Sequence, residues 1–74
     1  MFVRDKKHTI TNDLRIIRSK SGLTQQELAD KVDATRQTVI SIEKGNYVPS
    51  VLLALRIAEV LNKKVEEIFR YEKV

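Results

Sequence analysis

No cysteine occurs among the 74 residues. A disulfide staple and a thiolate metal site are therefore both excluded, and the composition suits a reducing compartment. The single histidine, His8, cannot build a zinc site without partners, so neither metal nor cofactor is expected. With two glycines and one proline, no glycine-rich phosphate loop is present. Nothing supplies a nucleophile, an acid–base pair and a cleft together, and an enzyme is not expected. Asp30 and Asp33 lie close in sequence but have helix-end and turn explanations. No apolar run approaches membrane-spanning length. The start, Met1-Phe2-Val3-Arg4-Asp5, has no apolar segment behind its charges. A soluble, cytoplasmic protein with no membrane partner is expected. Internal repeats and low-complexity segments are also missing.

A chain this short is marginal on core size alone, which leaves tight helix packing and oligomerisation as routes to stability. The net charge is +4, and it is local. Residues 1–20 hold six Lys/Arg against two acids, whereas residues 21–74 hold eight of each. A basic balance suits a polyanionic partner, although solubility explains it equally well.

Residues 24–44 organise the rest. Thr24 can cap a helix over about 25–32, with Glu27 closing a capping box. Thr35 can cap a second helix over about 36–44. Only Val32-Asp33-Ala34 remains for the connection, a turn of the helix-turn-helix kind. Leu28 and Val32 share one face of the first helix, and Val39 and Ile42 one face of the second. Ala29 is small where two helices would cross, so a bulky residue there should cost ~1–3 kcal/mol. Arg36, Gln37, Thr38, Ser41 and Lys44 remain outward or partly so. Such a face is richer in hydrogen-bonding side chains than good helix filler requires.

The flanks read as more helices. Residues 1–10 show no clear period and are expected to be a tail or short strand. As a strand they would pair with a second chain; as a basic arm they would lie on DNA. Thr11 or Asn12 can cap a helix to about Ser21 that turns Leu14 and Ile17 inward, and Gly22 ends it. Gly45 ends the helix over 36–44. Pro49 forbids a helix before it, and Ser50 caps one over about 51–61. In that helix Val51, Ala54, Leu55, Ala58 and Leu61 form one apolar stripe, taken as core. Leu53, Ile57 and Val60 form a second, and Leu52 is also apolar. Asn62 suits a left-handed stop. A last helix over about 65–70 returns Val65, Ile68 and Phe69 to the core, and residues 71–74 form a tail. The fold expected is all-α: five short helices over 11–70, with no strand required.

Leu14-Arg-Ile-Ile-Arg18, Gly22-Leu-Thr-Gln-Gln-Glu-Leu-Ala29, Thr35-Arg-Gln-Thr-Val-Ile-Ser-Ile-Glu-Lys-Gly45 and Pro49-Ser50 together resemble the Cro/C1-type helix-turn-helix family. This is the xenobiotic-response-element-type group of bacterial, archaeal and phage regulators. The resemblance spans about 12–70 and implies a lambda-repressor-like five-helix domain. It further implies binding to double-stranded DNA, usually as a homodimer on a pseudo-palindromic operator. By the resemblance, Gln25 holds a phosphate and braces the recognition helix. Arg36, Gln37 and Ser41 match base-reading positions, with Thr38 touching backbone or a thymine methyl. Lys44, Asn46 and Tyr47 match the loop that meets phosphates. Arg18 and Glu43 match an internal salt bridge. Two departures stand out: Asp33 replaces the usual turn glycine, and Lys64 replaces the usual Ser or Thr cap.

The expected role is that of a small transcriptional regulator, a repressor or controller protein acting without a ligand-sensing domain. The rival is a protein-interaction module, either an antitoxin paired with a toxin or a coactivator-like domain. Leu52, Leu53 and Val60 are the expected dimer or partner surface.

Overall fold

A computed structural model describes residues 8–73. Most of the segment read as an N-terminal tail, including its proposed basic arm, lies outside the described residues. The elements are β1 (His8–Asn12), α1 (Leu14–Lys20), α2 (Gln25–Lys31), α3 (Arg36–Glu43), α4 (Val51–Leu61), α5 (Val65–Ile68) and β2 (Phe69–Lys73). The five helices surround one core, and a two-stranded antiparallel sheet joins the two ends of the described chain. None of the described helices is long and apolar enough to cross a membrane.

Local chemistry sets the helix boundaries. The Thr24 hydroxyl accepts from Glu27 N at 3.0 Å while the Glu27 carboxylate accepts from Thr24 N at 2.9 Å, a complete capping box. Thr35 and Ser50 cap α3 and α4 through the backbone N–H of Thr38 and Leu53. Chain reversals fall on residues with positive φ: Gly22, Gly45, Asp33 and Asn62. Asp33, at φ 59°, takes the left-handed conformation that a glycine would adopt without a Cβ penalty. At Lys64 only half a capping box forms, because a lysine side chain has no acceptor; Glu67 accepts from Lys64 N at 2.8 Å.

The sheet adds two strands to the five expected helices and realises the short N-terminal strand. Ile10 pairs with Tyr71 and Asn12 with Phe69, so β1 finds its partner within the chain. Phe69 is already extended, at φ −115° and ψ 137°, which stops α5 two residues short of the expected end. The 71–74 stretch expected as a tail contributes Tyr71, Glu72 and Lys73 to β2. The carbonyl of Ile68, left open at the helix end, accepts from Asp13 N at 2.9 Å. β-branched Thr9, Ile10 and Thr11 and aromatic Phe69 and Tyr71 suit strands once they are paired. Asp13 stands at the N-cap of α1, and its carboxylate takes Arg70 at 2.8 Å. Both partners are more than 40 % exposed, so this pair adds little stability.

The core comprises Leu14, Leu28, Ala29, Val32, Val39, Ile42, Ile57, Ala58, Leu61 and Ile68. Its composition corrects the stripe chosen in α4. Ile57 is fully buried, whereas Val51 and Leu55 are 76 % and 54 % exposed. The helix is apolar nearly all round, so its own periodicity does not say which face turns inward. Leu53 and Val60, expected on a dimer surface, pack against the core; Leu52 is 60 % exposed.

Candidate nucleic-acid interface

The turn between α2 and α3 closes when Ala34 N donates to Ala29 O at 2.9 Å. From there α3 is fixed at both ends and along its inner side. Val39 and Ile42 enter the core. At the far end the Asn12 Nδ2 donates to Ile42 O at 2.9 Å, and the Asn12 Oδ1 accepts from Leu14 N. Asn12 thus serves the start of α1 and the end of α3 at once. Sequence reasoning saw only the first role, because nothing local signals a partner thirty residues away.

A second fastening joins three helices. Arg18 Nε donates to Glu43 Oε2 at 2.6 Å, and Arg18 Nη1 donates to Leu23 O at 2.7 Å. Gln25 Nε2 donates to Glu43 Oε1 at 3.0 Å. The Arg18 and Glu43 side chains are 11 % and 4 % exposed. The charge pair is therefore shielded from water and its acceptors are largely occupied, the condition under which an ion pair within a protein holds position. Gln25 keeps a second amide hydrogen free for another acceptor.

The outward face is different. Arg36 and Gln37 are exposed, and Thr38, Ile40 and Ser41 are half-buried. Gln37 Nε2 reaches Ser41 Oγ at 3.4 Å, a long bond that a better acceptor would displace. Thr38 shares a 2.9 Å hydroxyl bond with Thr35, which ties its polar atom to the helix start. Lys44, at the C-cap, and Asn46 and Tyr47 in the loop are exposed. Gln37, Thr38, Ser41, Asn46 and Tyr47 line one open groove with Thr35. Arg36 and Lys44 lie outside it. Neither makes a side-chain hydrogen bond or ion pair with another described residue, so both are available to an external anion or acceptor.

The capping box on α2 has a pH signature. The backbone N–H and hydroxyl of Thr24 hold the Glu27 carboxyl below the ordinary range, because both bonds favour the charged form. The hydrogen bond from Arg70 lowers Asp13 in the same direction. A depressed folded-state value adds stability at pH above the unfolded carboxylate range. That stability fades as pH falls through the folded value. The melting temperature of the wild type should drop on acidification below about pH 5. Glu27→Gln keeps an acceptor for Thr24 N without the titration, so its melting temperature should fall less steeply over that range.

A tight α2–turn–α3 unit with capped starts and a polar face held out from a helical core defines a helix-turn-helix protein. A helix-turn-helix family model matches residues 14–68. An HTH-type transcriptional regulator of Methanothermobacter thermautotrophicus is 53 % identical over 57 residues, covering 76 % of this chain and 83 % of that protein. The HTH-type regulator YgzD of Bacillus subtilis is 45 % identical over 62 residues, covering 84 % and 94 %. Among solved structures, the restriction-modification controller protein C.AhdI of Aeromonas hydrophila superposes with a TM-score of 0.69 at 31 % identity, covering 73 % of this chain and 82 % of that one. The transcriptional regulator VanUg reaches a TM-score of 0.77 over 100 % of this chain and 99 % of that one. At 17 % identity, VanUg speaks to the fold alone. The chain belongs to the Cro/C1-type helix-turn-helix family of transcriptional regulators.

Proposed function

We propose that the chain is a sequence-specific double-stranded DNA-binding regulator that lays α3 in the major groove. The observation that carries this is the contrast between the two sides of α3. Its inner side is locked by Val39, Ile42 and the Glu43 network. Its outer side presents Arg36 with no partner among the described residues, and a weakly paired Gln37 and Ser41. Arg36 can make two bonds to guanine and Gln37 two to adenine, so each half-site should contain both bases. Gln25, Lys44, Asn46 and Tyr47 would hold phosphates and set the register, while Thr38 supports the reading set from the helix start.

The test is selection from random duplexes followed by titration of variants at two salt concentrations. Arg36→Ala should relax preference at one base pair by ~1–3 kcal/mol. Lys44→Ala should weaken all sequences alike and lower the salt slope by about one. Equal losses from Arg36→Ala on selected and random DNA would remove Arg36 from the reading set. No enriched motif would favour the protein-partner reading instead.

A homodimer on a pseudo-palindromic operator completes the proposal. Val51, Leu52 and Leu55 form an exposed apolar strip along α4, with Arg56 and Glu59 also exposed beside it. An isologous contact needs a self-complementary patch. The half-sites would then lie about one DNA turn apart. Leu52→Glu should yield a monomer on sizing and lengthen the lifetime of neither half-site complex; a dimer that persists in this variant moves the interface elsewhere.

A further inference from the structure

Ile40 is at odds with its surroundings. By helical spacing it shares the outward face of α3 with Arg36, Gln37, Ser41 and Lys44, and those four are polar or charged. Most half-buried apolar side chains, among them Ile17, Leu23, Leu53 and Val65, lean on the core; Ile10 on β1 and Ala54 on α4 are the other exceptions. Ile40 is half-buried without joining that cluster. Helix propensity does not account for it either, since a β-branched residue is a poorer helix former than Ala, Lys or Glu at an outward position.

We propose that Ile40 reads thymine by packing on its C5-methyl group in the major groove. The inference rests on α3 reading duplex DNA. Thymine alone among the four bases presents an apolar group on that edge. The residues one turn before Ile40, Arg36 and Gln37, supply hydrogen bonds to guanine and adenine; Ile40 can supply none. It instead discriminates by excluding water from a methyl group, and so adds a third kind of contact to the same face. The competing methyl carrier is Thr38, whose hydroxyl is drawn back to Thr35. Its part-buried position beside Tyr47 in the groove turns it toward the loop side of the helix.

The experiment uses the full chain and the duplex it selects from random DNA. Each thymine of a half-site is replaced in turn by deoxyuridine, which keeps the hydrogen-bonding edge and lacks the methyl. At one position the replacement should weaken wild-type binding about fourfold, the factor expected from burying one methyl-sized group. Ile40→Ala should lose a similar factor on the thymine duplex and then be indifferent to the replacement. Ile40→Val should fall between. All three proteins should melt at nearly the same temperature.

Equal losses from deoxyuridine in wild type and Ile40→Ala overturn the proposal. So does a methyl effect that vanishes in Thr38→Ser and persists in Ile40→Ala, which assigns the contact to Thr38. A large fall in the melting temperature of Ile40→Ala overturns it too, by giving the side chain a packing role. If the wild type selects no sequence at all, the DNA-reading role of α3 fails first, and that result is distinct from the other three.

Discussion

Glu43→Ala is expected to reduce folding stability by about 3–5 kcal/mol. The carboxylate is nearly buried and accepts from both Arg18 and Gln25. Its removal leaves the Arg18 guanidinium shielded from water with Leu23 O as its remaining acceptor. The loss is that of an uncompensated charge, not of the pair's net worth. A domain of this size has roughly 4–11 kcal/mol in total, so a large share of molecules would unfold at moderate temperature. Urea titration or thermal melting measures it, and an unchanged midpoint would show that water reaches the pair freely. A double replacement, Arg18→Met with Glu43→Leu, separates breaking the pair from dispensing with it. That variant should recover much of the loss, because an apolar pair of similar volume avoids burying any charge. It should still bind DNA poorly if the network also sets the pose of Gln25, whose free amide hydrogen is the one proposed to meet a phosphate.

How much of this was legible depended on distance along the chain. The caps at Thr24, Thr35 and Ser50 were readable because each acts on an N–H three residues away. So were the left-handed positions at Gly22, Gly45, Asp33 and Asn62, which the residue types themselves favour. The sheet was not readable. Its two strands are five residues each, and their pairing brings together residues about sixty positions apart. No local pattern reports such a closure. The α4 core face failed for another reason. Val51 and Leu55 match the helical period as well as Ile57 does, and only the position of the other helices chose between them.

The candidate interface divides in the same way. Helical spacing placed Arg36, Gln37 and Ser41 on one face. Spacing could not tell that Gln25 points to Glu43, that Asn12 ties the end of α3 to the start of α1, or that Ile40 stands clear of the core. The Arg18–Glu43 contact was named from family resemblance, and its 2.6 Å distance and low exposure come from the structure. Physical reasons for the family's positions therefore appear only after the helices are assembled. The outward residues are chemically recognisable beforehand because their hydrogen-bonding groups are left largely unused by the rest of the described chain.

Ile42→Ala is expected to cost about 2–5 kcal/mol, the second of the two large losses. Ile42 is 0 % exposed in the core cluster that also holds Leu28, Val39 and Ile57, and truncating it removes three carbons from that cluster. Partial collapse of the cluster sets where in the range the value falls. The comparison with Ile40→Ala is informative because residue type, helix and substitution are shared. Two positions along α3 reverse the expected readout: Ile42→Ala should lose stability and keep its sequence preference, and Ile40→Ala should keep stability and lose preference for one thymine. Saturating DNA should raise the melting temperature of Ile42→Ala, since a ligand bound only by the folded state stabilises it by mass action. The affinity of the folded fraction should stay near that of wild type, because the outward side chains are untouched. If Ile42→Ala instead melts within about 0.5 kcal/mol of wild type, the anchoring of α3 rests on Val39 and the Glu43 network, and the core is more tolerant than its packing implies.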